Sequence, residues 1–185
     1  MEIINMQSLN TEQRLQASQM LSDELPIGWP TLEEALDEVN ERLDTVERDG
    51  TGESLFLAAV DDGTILGWVG MLPGYNGNVY ELHPLVVRHD RQRQGIGKIL
   101  VQELEKAARE RGGLTMHLGA DDEKPGGETS LANVDLYDDL PKLIKNFEPG
   151  THQAAFYIKM GYKIIGVMPD ANGTGKPDIF FGKRL

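Results

Sequence analysis

A basic turn that leads through two glycines into a helix is the segment of this chain with the clearest chemistry. It spans Gln92–Lys98 and has the spacing Gln92-x-x-Gly95-x-Gly97. The first N–H groups of a helix have no partner within it, and the helix dipole places positive charge behind them. Glycine lets a phosphate approach such a backbone closely. The segment therefore predicts a phosphate or pyrophosphate site, to which Arg91, Arg93 and Lys98 add charge.

Other phosphate-binding motifs fit this segment less well. It lacks the lysine-serine ending of a P-loop and the third glycine of a dinucleotide fingerprint, and no acidic residue stands where a Rossmann ribose ligand is expected. A nucleotide-binding module is therefore disfavoured. It remains an alternative interpretation of the segment, as does a plain strand-to-helix turn that binds no ligand.

Length and composition limit the classes of protein that remain. The chain has 185 residues, of which 39% are hydrophobic, enough for one sizeable core, and we predict a single domain over residues 1–185. Because there is no cysteine, disulfides and thiolate nucleophiles or metal ligands are excluded, and we expect no metal site. No segment resembles a signal peptide or approaches the roughly 20 apolar residues of a membrane span. We therefore expect a cytoplasmic protein without a membrane partner.

The net charge of −12 bears on the ligand. A negative field concentrates cations near the surface and repels the phosphate backbone of nucleic acids. The charge thus favours a cationic ligand and disfavours nucleic acid.

Strands and helices alternate along the chain, which predicts a mixed α/β fold. Strands are predicted at residues 2–6, 54–60, 64–72, 79–87, 114–119, 162–168 and 178–183. Helices are predicted at residues 11–21 and 31–46, from the glycine loop to Arg111, and at 151–160. Residues 130–147 fit either a short helix or a loop over the substrate.

A second motif lies in the expected order after the glycine loop. The segment Phe156-Tyr157-x-Lys159-x-Gly161-Tyr162 resembles the helix-to-strand ending of GNAT acetyltransferases, whose pyrophosphate loop Gln92–Lys98 also resembles. Residues 80–87, 118–122, 135–137, 169–173 and 176–179 are similar to segments of bacterial aminoglycoside 6'-N-acetyltransferases. The resemblance runs from about Trp29 to the C-terminus.

This resemblance implies a fold, a co-substrate and an assembly. The fold is the GNAT fold, a mixed central sheet with helices on both faces and a bulged central strand that opens onto the acyl-CoA site. The co-substrate is acetyl-CoA, and the assembly is a homodimer. The implied activity is transfer of an acetyl group to the 6'-amino group of an aminoglycoside by direct attack on the thioester.

An amine must lose a proton before it attacks a thioester, and a carboxylate can accept that proton. Glu81 is the candidate, because Pro84 interrupts the strand beside it and such breaks re-aim side chains. Residue type alone favours a solvated strand residue for Glu81; the resemblance gives it the role of holding or deprotonating the amine. The intrinsic pKa of a histidine suits the same work, but the pattern favours a packed or hydrogen-bonded strand residue for His83.

Attack places negative charge on the thioester oxygen, which a free backbone N–H can stabilise. Leu85 is the first residue after Pro84 with such a donor, and the resemblance points to the same amide. Val86 and Val87 would pair by backbone with the pantetheine arm as an added strand. The expected acetyl-CoA residues are Leu85, Val86, Val87, Gln92, Arg93, Gln94, Gly95, Ile96, Gly97, Lys98 and Tyr157.

Expulsion of the CoA thiolate benefits from a proton donor, and the motif assigns this role to Tyr157. A packing role is the alternative for this tyrosine. Related enzymes often carry asparagine about two helical turns earlier, where Gly150 stands here.

A polycationic aminocyclitol needs carboxylates and an aromatic face. The resemblance nominates Trp29, Tyr75, Glu81 and Asp121 for substrate binding, with Asp122, Asp138, Asp139 and Asp178 as weaker additions. His83 is a further substrate-binding candidate. Residues 123–128 look inserted, so the amine is less well specified than the reaction. Polyamines, protein or peptide amines, and a non-catalytic acyl-CoA-binding role are the alternatives.

Overall fold

The computed structural model describes all residues, 1–185, as two compact units: Met1–Met116 with Leu185, and His117–Arg184. The strands are β1 (Glu2–Asn5), β2 (Arg48–Asp49), β3 (Gly52–Glu53), β4 (Leu55–Asp61), β5 (Thr64–Gly74), β6 (Val79–Val87), β7 (Thr115–Asp121), β8 (Lys163–Met168) and β9 (Asp178–Arg184). The helices are α1 (Thr11–Glu24), α2 (Leu32–Asp44), α3 (Ile96–Glu110), α4 (Leu140–Lys145) and α5 (Ala154–Lys159). None of them has the length and apolar character needed to cross a membrane.

The first unit is built on antiparallel strands in the order β1-β4-β5-β6. The indole N–H of Trp68 on β5 donates to the Ala17 carbonyl of α1 at 3.1 Å. A Cβ on the preceding residue, Gly67, would lie 3.2 Å from the Leu100 side chain of α3. Because successive strand residues point to opposite faces, α1 and α3 cover opposite faces of these strands. The predicted mixed α/β fold with helices on both faces is confirmed.

A β-bulge interrupts the pairing of β5 with β6. Val69 pairs with Leu85 and Met71 pairs with Leu82, so Gly70 alone opposes both His83 and Pro84. A Cβ on Gly70 would lie 2.5 Å from the His83 carbonyl oxygen, which is why glycine stands there. The break predicted at Pro84 is therefore present as a bulge, and β6 keeps its predicted bounds.

In the second unit the strand order is β7-β9-β8, with β8 and β9 antiparallel. The ambiguous segment 130–147 contains the six-residue helix α4, capped by the Asp139 side chain. Helix α5 begins at Ala154, three residues after the predicted start. Sequence reasoning did not predict the short β2–β3 hairpin or the 3-10 helices at Met6–Ser8 and His89–Arg91. The single domain stays a prediction.

Candidate active site

The glycine loop has the geometry of an anion site. Arg93 and Gly95 have positive φ angles of 61° and 87°, and α3 starts directly after Gly95. The first bond of the helix runs from the Ile99 N–H to the Gly95 carbonyl at 3.0 Å, which leaves the earlier N–H groups of α3 without helical partners. Gly95 provides no side-chain cap, and no atom lies within 4 Å of where its Cβ would be. The loop therefore has the geometry to bind an anion such as a phosphate group.

Several side chains of this loop bind the protein itself. Arg88 forms two hydrogen bonds with Asp90, at 2.6 and 2.7 Å, which lower the pKa of the Asp90 carboxyl. The Gln94 side-chain amide donates to the Asp90 carbonyl at 3.2 Å. The Gln92 side-chain amide donates to the Val87 carbonyl and to Glu24. The backbone N–H groups near Gly95, rather than these side chains, are thus presented to an anion.

The backbone of β6 presents one edge away from β5. The Arg88 N–H donates to the Leu66 carbonyl of β5 at 3.0 Å. Because antiparallel ladders alternate, the Val86 N–H also faces β5, whereas the N–H groups of Leu85 and Val87 face the other way. The Leu85 and Val87 amides therefore point away from β5, and the buried Val86 side chain belongs to the core.

The bulge brings Glu81 and His83 to the face of β6 that carries the core of α1 and α2. Glu81 pairs with Leu72, which packs against that core, as Trp29 also does. The rings of Trp29 and His83 are 5.9 Å apart at 50°. The Glu81 side chain is half-buried, without a hydrogen bond or ion pair within the protein. The rings of Trp29 and His83 form an aromatic wall beside the Glu81 carboxylate, and such a pairing of rings and negative charge suits an organic cation.

Tyr75 lies at the turn between β5 and β6 and is 77% exposed. The adjacent Asn76 N–H donates to the Asp49 carboxylate at 2.7 Å, and a Cβ on Gly77 would lie 2.8 Å from the Gly52 backbone nitrogen. The β2–β3 hairpin therefore braces the turn that holds Tyr75. The glycines that permit this close approach are Gly50, Gly52 and Gly77.

Residues 15–125 match the model of the acetyltransferase (GNAT) family. The chain belongs to the GNAT family of acetyltransferases. Members of this family use acetyl-CoA as the acetyl donor, which confirms the predicted co-substrate and the assignment as an enzyme of this class. Comparison with curated protein sequences gives no match.

Solved GNAT structures resemble the whole chain. An aminoglycoside 6'-N-acetyltransferase in complex with coenzyme A is 36% identical with a TM-score of 0.89, and the alignment covers 100% of this chain and 97% of the other. The aminoglycoside 6'-N-acetyltransferase from Enterococcus faecium is 37% identical with a TM-score of 0.85 and the same coverage. An aminoglycoside 6'-acetyltransferase type Ii is 33% identical with a TM-score of 0.74 over 100% and 97% of the two chains.

Tyr157, the GNAT motif tyrosine, lies on α5 in the second unit. It is 6% exposed, and its ring packs against Phe156, Tyr162 and Phe181, with ring centroids 5.2 to 6.3 Å away. Burial raises the pKa of the Tyr157 hydroxyl above its ordinary value of 10. The hydroxyl is therefore protonated at neutral pH and is a weaker acid than that of an exposed tyrosine.

Asp121 and Asp122 have different environments although they are adjacent. Asp121 is exposed at the end of β7, and its carboxylate accepts a hydrogen bond from the Asn172 side chain. Asp122 is fully buried, and its two oxygens accept the backbone N–H groups of Glu128 and Thr129, each at 2.8 Å. Asp122 therefore orders the following loop and is unsuited to the substrate contact predicted for it.

The structure places the three remaining weaker substrate-binding candidates, Asp138, Asp139 and Asp178, in different environments. Asp139 accepts the Lys142 N–H at 3.1 Å as the cap of α4, whereas Asp138 is exposed. Asp178 lies against Gly119, where a Cβ would come within 2.9 Å of its carboxylate. Burial, together with nearby Asp121, raises the pKa of Glu123. Glu123 and Asp121 therefore lie close enough at the end of β7 for their carboxylates to interact.

His152, which sequence reasoning missed, connects α5 with the end of β7. Its Nδ1 accepts the Ala154 N–H at 3.2 Å, and its Nε2 lies 3.0 Å from the Asp121 carbonyl. Because Nδ1 is an acceptor, the neutral ring carries its proton on Nε2 and donates it to Asp121. The buried His152 thus links the segments of Asp121 and Tyr157 within the second unit.

Gly150 stands where related enzymes often carry asparagine, and the structure explains the difference. It has a φ of 53°, and a Cβ there would overlap the Glu128 carbonyl oxygen. Glu128 ends the inserted-looking segment 123–128, and its carboxylate accepts the Thr151 hydroxyl at 2.9 Å. The glycine therefore accommodates the insertion.

Proposed function

We propose that this GNAT enzyme transfers the acetyl group of acetyl-CoA to the 6'-amino group of an aminoglycoside. The observation that carries the proposal is the unpaired, half-buried Glu81 carboxylate beside the Trp29–His83 ring pair, on the same strand that leads into the anion loop. The aromatic wall and the anion loop, proposed to bind the amine and the cofactor, thus lie at two points along the bulged strand β6. The solved structures that are 33 to 37% identical are named as aminoglycoside acetyltransferases, which supports this substrate class.

Bound acetyl-CoA supplies an activated acetyl thioester. Glu81 would hold the substrate ammonium and accept its proton, directly or through water. The Leu85 N–H, which faces away from β5, would donate to the acetyl carbonyl oxygen and stabilise negative charge there. Val87 would pair by its backbone with the pantetheine arm, and the N–H groups around Gly95 would bind the pyrophosphate.

Tyr157 would donate its proton to the departing sulfur. This role rests on the Phe156–Tyr162 motif. Because burial raises the pKa of the hydroxyl and so makes it a weaker acid, we expect it to contribute less to the rate than Glu81 does.

The substrate is expected to be a polycationic ring compound. Trp29 and His83 offer aromatic faces, and Tyr75 is exposed at the hairpin turn. We also propose Asp121, whose carboxylate is exposed at the end of β7, as a substrate contact. The net charge of −12 attracts cations over a longer range. Polyamines and basic peptide amines share the positive charge but lack the rigid rings that would use the aromatic wall.

We also infer a homodimer in the cytoplasm that confers aminoglycoside resistance. Ile165 and Met168 on β8, the last strand in the order β7-β9-β8, are 63% and 52% exposed, which suits a contact between copies. We propose no nucleic-acid or membrane partner for this enzyme. Sedimentation would give the oligomeric state, and expression in a susceptible bacterium should raise the inhibitory concentration of aminoglycosides.

The test of the reaction is thiol release from acetyl-CoA. An aminoglycoside with a 6'-amino group should give rapid release, whereas a similar aminoglycoside with a 6'-hydroxyl should give little. Faster release with a polyamine or a basic peptide would replace the proposed substrate. Tight CoA binding without release on any amine would identify a non-catalytic acyl-CoA-binding protein.

A further inference from the structure

The Gln92 side chain joins the cofactor loop to the end of α1. One amide nitrogen, Nε2, donates to the Val87 carbonyl at 3.1 Å and to the Glu24 carboxylate at 2.8 Å. The Val87 carbonyl belongs to the edge of β6 that faces away from β5, which is the edge proposed for the pantetheine arm. Gln92 therefore holds one end of the cofactor-facing edge and uses both of its amide hydrogens in doing so.

Glu24 suits this contact because it is partly shielded from water. Its side chain is 18% exposed, and His89 Nδ1 lies 3.9 Å from the same carboxylate oxygen, Oε2, that accepts the Gln92 amide. A hydrogen bond to an ionised acceptor is stronger than one between neutral groups. Glu24 is also the last residue of α1, so the contact fixes the point at which the chain leaves that helix.

The chain that leaves α1 leads directly to the aromatic wall. The Trp29 N–H donates to the carbonyl of Leu25, the residue after Glu24, at 3.1 Å. The Trp29 ring then contacts His83 on the bulge of β6. Contacts therefore run without a break from the anion loop through Gln92 and Glu24 to the ring proposed to bind the amine.

We propose that Glu24 is a positioning residue that couples the acetyl-CoA loop to Trp29 through its hydrogen bond with Gln92. The proposal rests on the proposed function for the role of Trp29. Occupation of the loop fixes Gln92, which fixes the end of α1 and with it the Leu25–Trp29 turn. Because binding couplings are reciprocal, an amine held by Trp29 favours the loop conformation that binds acetyl-CoA.

Tryptophan fluorescence tests this coupling without an amine. The chain has two tryptophans, and Trp68 is buried at 1% exposure, so CoA should alter mainly the emission of Trp29. Trp29→Phe should abolish the change. Glu24→Ala and Gln92→Ala should each remove more than half of its amplitude at saturating CoA, whereas Glu24→Gln should retain it because the amide oxygen still accepts from Gln92. Asp23→Ala, on the neighbouring residue, is the matched control and should behave as wild type.

Kinetics give the second readout. With acetyl-CoA saturating, Glu24→Ala should raise KM for the amine about fivefold, within the usual range of such couplings, and should change kcat less than twofold. A Trp29 response unchanged by Glu24→Ala, or absent from the wild type, would overturn the coupling. A wild-type enzyme that acetylates no aminoglycoside but shows the Glu24-dependent response would refute the proposed substrate and leave the positioning role standing.

Discussion

Glu81 is the residue whose replacement should separate the chemistry from cofactor binding. Glu81→Gln keeps the size of the side chain but removes its charge and most of its basicity. We expect kcat for a 6'-amino aminoglycoside to fall by about a hundred- to ten-thousandfold, as for the loss of a positioned base. The Kd for CoA should stay unchanged, because the anion loop follows the other end of β6.

Steady-state kinetics and CoA titration measure both quantities. A raised KM with unchanged kcat would make Glu81 a substrate anchor only. Wild-type turnover would show that the carboxylate is a solvated strand residue.

Tyr157→Phe should have a smaller effect. A thiolate is a better leaving group than an alkoxide, so its protonation contributes less than removal of the amine proton. We expect kcat to fall roughly ten- to a hundredfold with little change in CoA affinity. The ring packing against Phe181 and Tyr162 is preserved in this variant, so Tm should change little. Full activity would contradict the donor role, and a large loss of CoA affinity would assign the residue to cofactor binding.

At the level of residues, the sequence indicated which side chains could do the chemistry, but it did not indicate how each side chain is surrounded in the fold. Asp121 and Asp122 are adjacent residues of the same type, yet Asp121 is exposed and Asp122 is buried, where it caps a loop. Gln92 was predicted to bind the cofactor, but its side-chain amide is occupied by Glu24 and Val87. Such differences depend on segments distant in sequence, which spacing cannot reveal.

The loop before α3 gives a prediction at the level of an element. Gly95 has a φ of 87° and open space where a Cβ would point, so a side chain there meets the ligand rather than the protein. Gly95→Val and Gly95→Asn should both reduce the rise in Tm that CoA causes. Only valine should also lower the stability of the ligand-free protein, by about 1–2 kcal/mol, because asparagine tolerates positive φ. Calorimetry with and without CoA measures both effects.

A normal CoA-dependent rise in Tm for Gly95→Asn would exclude close contact between this loop and the cofactor. A loss of ligand-free stability of the same size in both variants would make the glycine mainly structural.

Periodic elements were predicted well because their signals are local. The bounds of β6 and the capping box of Thr31 with Glu34 before α2 both match the prediction. The two-residue strands β2 and β3 are too short to carry a period, and they exist because glycines let the hairpin approach the Tyr75 turn. The late start of α5 follows the positive φ of Gly150, which no helical pattern could indicate.

At the level of the whole molecule, the order of two motifs predicted the family although neither motif did so alone. The glycine loop and the Tyr157 segment are separated by more than fifty residues of variable structure. A common chain order across that distance is much less frequent by chance than either pattern. What remained unpredicted is the division into two units, because contact density does not appear in composition.

The predicted single domain can be tested by unfolding. Strand β7 starts at Thr115 in the first unit and ends at Asp121 in the second, so the boundary cuts through a hydrogen-bonded element. The second unit has about 70 residues, and a domain of that size buries a smaller fraction of its surface and is marginal alone. We therefore expect one cooperative transition in urea.

Both tryptophans, Trp29 and Trp68, lie in the first unit, so their fluorescence reports on that unit, whereas far-UV circular dichroism reports on all helices and strands. The two transitions should coincide and should shift together when CoA is added. A dichroism phase without a fluorescence change would mean that residues 117–184 unfold separately, and the chain would then have two domains.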